Sequence, residues 1–220
     1  MFFKIWRDKL IEILLFAATS FVVGLSGAMV PGPMLTVTIS DSLKKGFVTG
    51  PLVVLGHFIA ELAIILIIFA GLGWFIGSST AVFLIGTLGG LVMVIMGYRI
   101  LSTSNSLKDM EADKVNSKGY GSVLNGFLTS ISNPFFFIWW ITVGWAFMFK
   151  GLELAGILGV FGFLLGHWAS DISWFSTVSF FSSRGSQMMT ENHFKIIMNI
   201  SGIFLMILGI YFLLNATRIV

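Results

Sequence analysis

The sequence predicts an all-α membrane protein: six transmembrane helices built as two inverted three-helix repeats, each with a broken first helix. Three observations carry this. Of the 220 residues, 56% are hydrophobic and only 10% charged. A soluble domain carries about 25% charged residues because its surface faces water, so lipid must cover most of this one. Long charge-free runs lack the period-two alternation of a barrel, and only helices or closed barrels satisfy backbone polar groups inside lipid. Finally, landmarks of the first half recur in the same order in the second.

Crossing a bilayer takes about 20 apolar residues, so a chain of this length holds roughly six spans. The basic start (Lys4, Arg7 and Lys9 ahead of residues 13–23) has the charge of a leader peptide. It lacks a small-residue cleavage site, and its segment pairs with an internal copy, so it is assigned as the first span. That span covers residues 13–40 and is broken by Pro31-Gly32-Pro33. Residues 41–46, with Lys44 and Lys45, form a connection to span two, residues 47–69, whose one acid is Glu61. An uncharged turn, 71–80, leads to span three, 81–101. Residues 102–118 are the one strongly polar stretch, too short for a domain, and read as a linker.

Span four covers 122–147 and contains Asn133-Pro134; span five covers 154–178 with Asp171 inside it; span six covers 196–215. The chain is thus one transmembrane domain, 1–220. Repeat one occupies about 11–101, the linker 102–120 and repeat two 121–217. Each repeat has three spans, so the second enters the membrane upside down. Inverted repeats characterise secondary transporters, with sites near the midplane where the repeats meet.

The repetition is read from pairs. Gly56-His57-Phe58-Ile59-Ala60-Glu61 matches Gly166-His167-Trp168-Ala169-Ser170-Asp171 at an offset of 110, and Gly90 and Gly97 match Gly202 and Gly209 at 112. The Pro31-Gly32-Pro33 break is paired with Ser132-Asn133-Pro134 at about 102.

Charge sets the orientation. Lys and Arg concentrate in short cytoplasmic loops. Five lie on the side of the termini (Lys4, Arg7, Lys9, Lys150, Arg218), against eight on the linker side. The 102–120 linker is therefore placed in the cytoplasm and both termini outside. These basic residues are scattered through connections, without the clustered, aromatic-interleaved patch of a nucleic-acid binder, and they suit anionic headgroups. With no cysteine, disulfides and thiol relays are excluded.

Pro31-Gly32-Pro33 late in the first span, followed by Ser42-Leu43-Lys44-Lys45-Gly46 and a glycine-rich second span, resembles the lysine exporter (LysE/RhtB) translocators. Ser132-Asn133-Pro134 at the opening of the second half is similar to that family too. The resemblance covers nearly the whole chain. It implies a six-helix exporter of the inner (cytoplasmic) membrane, commonly for amino acids or related small molecules, driven by an ion gradient. The chain departs in having Val30 where many amino-acid exporters of the family carry Thr before Pro-Gly-Pro.

Candidate site residues fall into two sets. Proline breaks a helix by removing a donor and clashing with the preceding turn, and a new helix starts readily with Pro at N1. The starts after Pro31, Gly32, Pro33 and after Asn133 (as N-cap) and Pro134 would present free N–H groups to an anionic solute. A plain structural kink is the competing reading of either break. His57 and Glu61, like His167 and Asp171, are four apart and share a helix face. An ionised acid at the bilayer centre costs at least about 2.5–3.5 kcal/mol, so Glu61 and Asp171 should face the bundle interior or be protonated. A carboxylate that alternately takes a proton and the solute suits a proton-coupled carrier. The competing reading is a His–acid pair that only locks helices together.

Gly156, Gly159, Gly162, Gly166 and the Gly86–Gly90 step read as close helix packing. Trp74, Trp139, Trp140 and Trp145 read as interfacial or packing residues, and His193 as solvated. The function so predicted is a proton-coupled secondary exporter of amino acids or similar solutes, working by alternating access. Its partners are a small-molecule substrate, protons and lipid; no cofactor, metal or nucleic acid is expected, and homo-oligomerisation is left open. The alternative keeps the fold and makes the solute a divalent cation held by His57, Glu61, His167 and Asp171. A metal-dependent intramembrane hydrolase fits less well, because no nucleophile accompanies either pair and an enzyme does not require the duplication.

Overall fold

A computed structural model describes residues 2–72, 78–102, 120–186 and 190–216. Among these the regular elements are helical. They are α1 (Phe2–Ala28), α2 (Pro33–Lys45), α3 (Thr49–Ile67), α4 (Ser79–Ser102), α5 (Tyr120–Ile131), α6 (Pro134–Trp139), α7 (Trp145–Ala155), α8 (Ile157–Ser186) and α9 (Glu191–Asn215). One-turn π segments continue α3 (Ile68–Leu72) and join α6 to α7 (Trp140–Gly144). Residues 103–119 of the predicted linker and Trp74 lie outside the described residues.

Among the described residues, five helical stretches are long and apolar enough to cross a membrane: Arg7–Ala28, Thr49–Gly71, Ser79–Ser102, Pro134–Ala155 and Glu191–Asn215. The segment expected to supply another, α8, is a 30-residue helix. His167, Ser170, Asp171 and Ser173 sit in its middle and dilute its apolar run. The fourth span starts later than the sequence suggested. α5 is 12 residues, about 18 Å at the helical rise and too short for a hydrocarbon core of about 30 Å. The apolar run long enough to cross begins only at Pro134.

Residues 41–45, expected in a connection, are instead the last turn of α2, with Asp41, Ser42, Leu43 and Lys44 buried. Charge suggested a loop there; packing overrides it, because polar partners on other helices receive Asp41 and Ser42.

The breaks also differ from the expected pairing. In the first half α1 ends at Ala28, and α2 restarts with Pro33 at its first position behind Gly32. The offset of 110 that takes His57 to His167 takes Pro31–Pro33 to residues 141–143, which lie in the π segment Trp140–Gly144. The same offset takes Gly46, which ends α2 at φ 89°, to Gly156, which ends α7 at φ 59°. Both positions are left-handed, where glycine has no steric penalty. The second half carries Ile, Thr and Val in place of the prolines, so its N–H groups stay bonded and the chain bulges instead of breaking. The Asn133-Pro134 break has no broken counterpart in α1 at that offset.

The chain forms two compact units. One comprises Met1–Val30 and Trp139–Trp174. Here α8 lies directly on α1: a Cβ at Gly166 would overlap the Ala17 carbonyl, and Ser20 Oγ donates to the Phe163 carbonyl at 2.7 Å. Trp140, Met148 and Phe163 form its buried side chains, and Phe16 stacks on Phe147 with centroids 5.5 Å apart.

The other unit comprises Pro31–Ile138 and Phe175–Val220. α4 and α9 pack backbone to backbone: a Cβ on Gly90 would lie 2.7 Å from the Gly209 carbonyl oxygen, and one on Gly97 would lie 2.6 Å from that of Gly202. Val37, Leu43, Met93, Met198, Leu205 and Phe212 build the core beside them. α3 packs on α5 equally closely, with Gly56 against the Val123 carbonyl and Gly126 against that of Val53. In each unit, therefore, the helix bearing a His–acid pair rests on a helix drawn from the other half of the sequence.

Candidate functional site

The first pair stands on α3. An apolar helix face with glycine at position 56 lets α5 approach to backbone contact, and one turn further on that closeness brings two polar chains together. His57 Nε2 lies 3.2 Å from Glu61 Oε1, while His57 Nδ1 lies 2.7 Å from Ser130 Oγ on α5. Ser130 Oγ also reaches the Gly126 carbonyl at 2.7 Å as a donor. Glu61 is 1% exposed, and the Phe136 ring meets the imidazole edge-on at 5.6 Å.

These contacts allow two proton arrangements, because a neutral imidazole has one donor and one acceptor nitrogen. If Ser130 donates to Nδ1, then Nε2–H donates to the Glu61 carboxylate. If Ser130 donates to Gly126 instead, Nδ1–H donates to Ser130, and a second proton is held between Nε2 and Glu61. The arrangement can thus hold one proton or two by rotating a single hydroxyl.

The second pair stands on α8. His167 Nε2 lies 3.5 Å from Asp171 Oδ2. Its surroundings are aromatic: Trp139 stacks on the imidazole at 4.6 Å and 20°, Phe163 stacks at 5.9 Å, and Trp140 meets it edge-on at 5.6 Å. Trp139 and Trp140, expected as interfacial or packing residues, thus contact a predicted site residue. His167 and Asp171 are both buried, at 5% and 3% exposure. The two pairs match in sequence and differ in setting.

The breaks differ in a similar way. Asn133 Oδ1 accepts from the Phe135 amide at 3.1 Å, and its carbonyl accepts from the Phe136 amide. Its side chain therefore already occupies a donor that an anionic solute would need. At the start of α2, Gly32 contributes no side-chain cap; Pro31 is exposed and Pro33 buried. Sequence reasoning missed Ser130, and it missed a second polar cluster at the far end of α5. There Asp41 Oδ2 accepts from Lys45 Nζ at 2.9 Å, Asn125 Nδ2 at 3.0 Å and Ser122 Oγ at 3.2 Å. Their signal was available: Ser122, Asn125 and Thr129 recur at helical three–four spacing, with Ser130 two turns after Ser122.

Among the described residues, helices long and apolar enough to cross a membrane define the class, a multi-pass α-helical membrane protein. The chain belongs to the LysE type translocator family, whose model matches residues 25–216. It is thus a multi-pass membrane transporter. It is 22% identical over 191 residues to a Bacillus subtilis (strain 168) protein named for amino acid efflux, YcgF, covering 87% of this chain and 91% of that one. No solved structure gives a significant match.

Proposed function

We propose that the protein is a proton-coupled secondary exporter of amino acids or similar small solutes across the cytoplasmic membrane, working by alternating access. The observation that carries this is the buried Glu61 carboxyl held 3.2 Å from His57 on a helix long enough to cross a membrane. Burying a charge is costly unless it is paired and hydrogen-bonded, so such a group earns its place by exchanging partners. In this reading Glu61 binds a proton in one half of the cycle and the solute's ammonium group in the other. The uncapped start of α2, after Pro31, Gly32 and Pro33, receives the solute carboxylate. Asn133 and Pro134 shape the second break, and His167 with Asp171 forms the duplicate site.

The architecture we propose is two inverted three-span repeats, about 11–101 and 121–217, with α8 as the further span. The matched glycine ends at Gly46 and Gly156 and the exchanged packing partners of α3 and α8 support it. The 102–120 linker is placed in the cytoplasm on the distribution of Lys and Arg.

Purified protein in liposomes under an imposed pH gradient, offered a panel of amino acids, tests the function. Gradient-dependent flux is expected, lost in Glu61→Gln while the variant remains folded. Absence of flux across the panel overturns the reading. Flux of a divalent cation in its place moves the assignment to metal export.

A further inference from the structure

α5 is polar along one side from end to end. Ser122, Asn125 and Thr129 follow one another at three- and four-residue steps, the spacing of a single helix face, and Ser130, two turns after Ser122, borders it. At one end of this side Asn125 and Ser122 bind Asp41, a residue of α2. At the other end Ser130 binds His57. Between them Thr129 is 1% exposed, its hydroxyl turned onto the carbonyls of Asn125 and Gly126. An apolar interior has no packing reason to line a helix face with hydroxyls and an amide, whereas a face wetted during part of a cycle does.

Asp41 ties this side of α5 to α2. A single carboxylate oxygen takes donors from Lys45 on its own helix and from two residues of α5, and Lys45 Nζ also reaches Ser122 Oγ at 3.5 Å. The contact joins the short helix after the first break to the short helix before the second. We propose that the Asp41–Lys45–Ser122–Asn125 network is a latch, and that its release parts α2 from α5 and opens a water path along the polar side of α5 to Glu61. This rests on the reading of Glu61 as the transport site, and makes Asp41 a positioning residue for access to it.

The chain contains no cysteine, so single reporters can be introduced directly. Thr129→Cys reports the path. Leu124→Cys, 55% exposed on another side of α5, is the control. Each is placed in full-length protein in lipid nanodiscs and titrated with a charged, membrane-impermeant thiosulfonate. Asp41→Ala is expected to raise the modification rate of Thr129→Cys roughly tenfold, a shift of about 1.4 kcal/mol in the closed–open balance. Asn125→Ala should raise it less, and neither should change Leu124→Cys.

Equal rates at Thr129→Cys with and without Asp41 overturn the latch. So does a parallel rise at Leu124→Cys, which marks general loosening. If Asp41→Ala does not fold, Asn125→Ala and Ser122→Ala carry the same comparison. The readout needs no transported solute: a chain that opens on release yet moves no amino acid refutes the proposed function and leaves the latch standing.

Discussion

Ser130 Oγ lies 2.7 Å from His57 Nδ1, so the imidazole whose other nitrogen faces Glu61 is oriented by a residue of a different helix. A ring held at both nitrogens presents Nε2 to the carboxyl in one orientation, which a proton exchange through that nitrogen requires. Ser130→Ala should therefore release the ring. The chain has three histidines, so a ¹⁵N-histidine spectrum, assigned with single His→Gln variants, isolates His57. Ser130→Ala is expected to shift the His57 Nδ1 signal, and Ser130→Thr, which keeps the hydroxyl, to retain it. The lost buried hydrogen bond should cost about 1–3 kcal/mol of stability. An unchanged Nδ1 signal would show that the serine does not hold the ring.

The same spectrum reports on the second His–acid pair. His167 is stacked on Trp139 with ring centroids 4.6 Å apart, and an aromatic face favours a cationic partner by about 0.5–2 kcal/mol. Trp139→Leu removes that face and its ring current. It should move the His167 signals. Unchanged His167 signals would show that the indole does not stack on this ring.

Membrane character and most of the spans were legible because lipid imposes a composition and a minimum length, and both can be read without knowing contacts. The paired His57–Glu61 and His167–Asp171 were legible because acids in apolar runs are costly and these recur at one offset. The end of α2 was misread because Asp41, Lys44 and Lys45 have the composition of a loop, and the partners of Asp41, Ser122 and Asn125, lie some 80 residues away. The breaks were paired by their prolines, yet the fixed offset leads from Pro31–Pro33 to a π segment without proline. A lone serine such as Ser130 is easily read as packing until the helix opposite it is known. Trp139 gave no sign in sequence of stacking on a histidine 28 positions later.

Helix contact at Gly56 and Gly126 should tolerate no side chain. At each, a Cβ would meet the backbone of the facing helix, which cannot swing aside as a side-chain end would. Gly56→Val and Gly126→Val are expected to destabilise by at least the about 1–3 kcal/mol typical of overpacking, seen as a lower midpoint of thermal unfolding in detergent. Leu124→Ala, on an exposed position, should stay within about 0.5 kcal/mol of wild type. Wild-type midpoints for both glycine variants would mean that α3 and α5 do not touch there.

Ser179 offers the sharpest test of how α2 is anchored on its other side. Its hydroxyl is fully buried and lies 2.7 Å from Ser42 Oγ. It donates to the Phe47 carbonyl at 2.7 Å and accepts from the Gly50 amide at 3.1 Å. One side chain thus satisfies groups from the end of α2, the turn after it and the start of α3. Removing it in Ser179→Ala leaves the Gly50 N–H with only its 3.2 Å bond to the Phe47 carbonyl, and the lost buried hydrogen bonds should cost about 0.5–1.5 kcal/mol each. Thr19→Ala, which removes an exposed hydroxyl bonded within its own helix, should cost within about 0.5 kcal/mol. Hydrogen exchange at Gly50 locates the effect: the amide is expected to lose protection in Ser179→Ala and to keep it in Thr19→Ala. If Gly50 stays protected in Ser179→Ala, the serine is not the group that holds this turn.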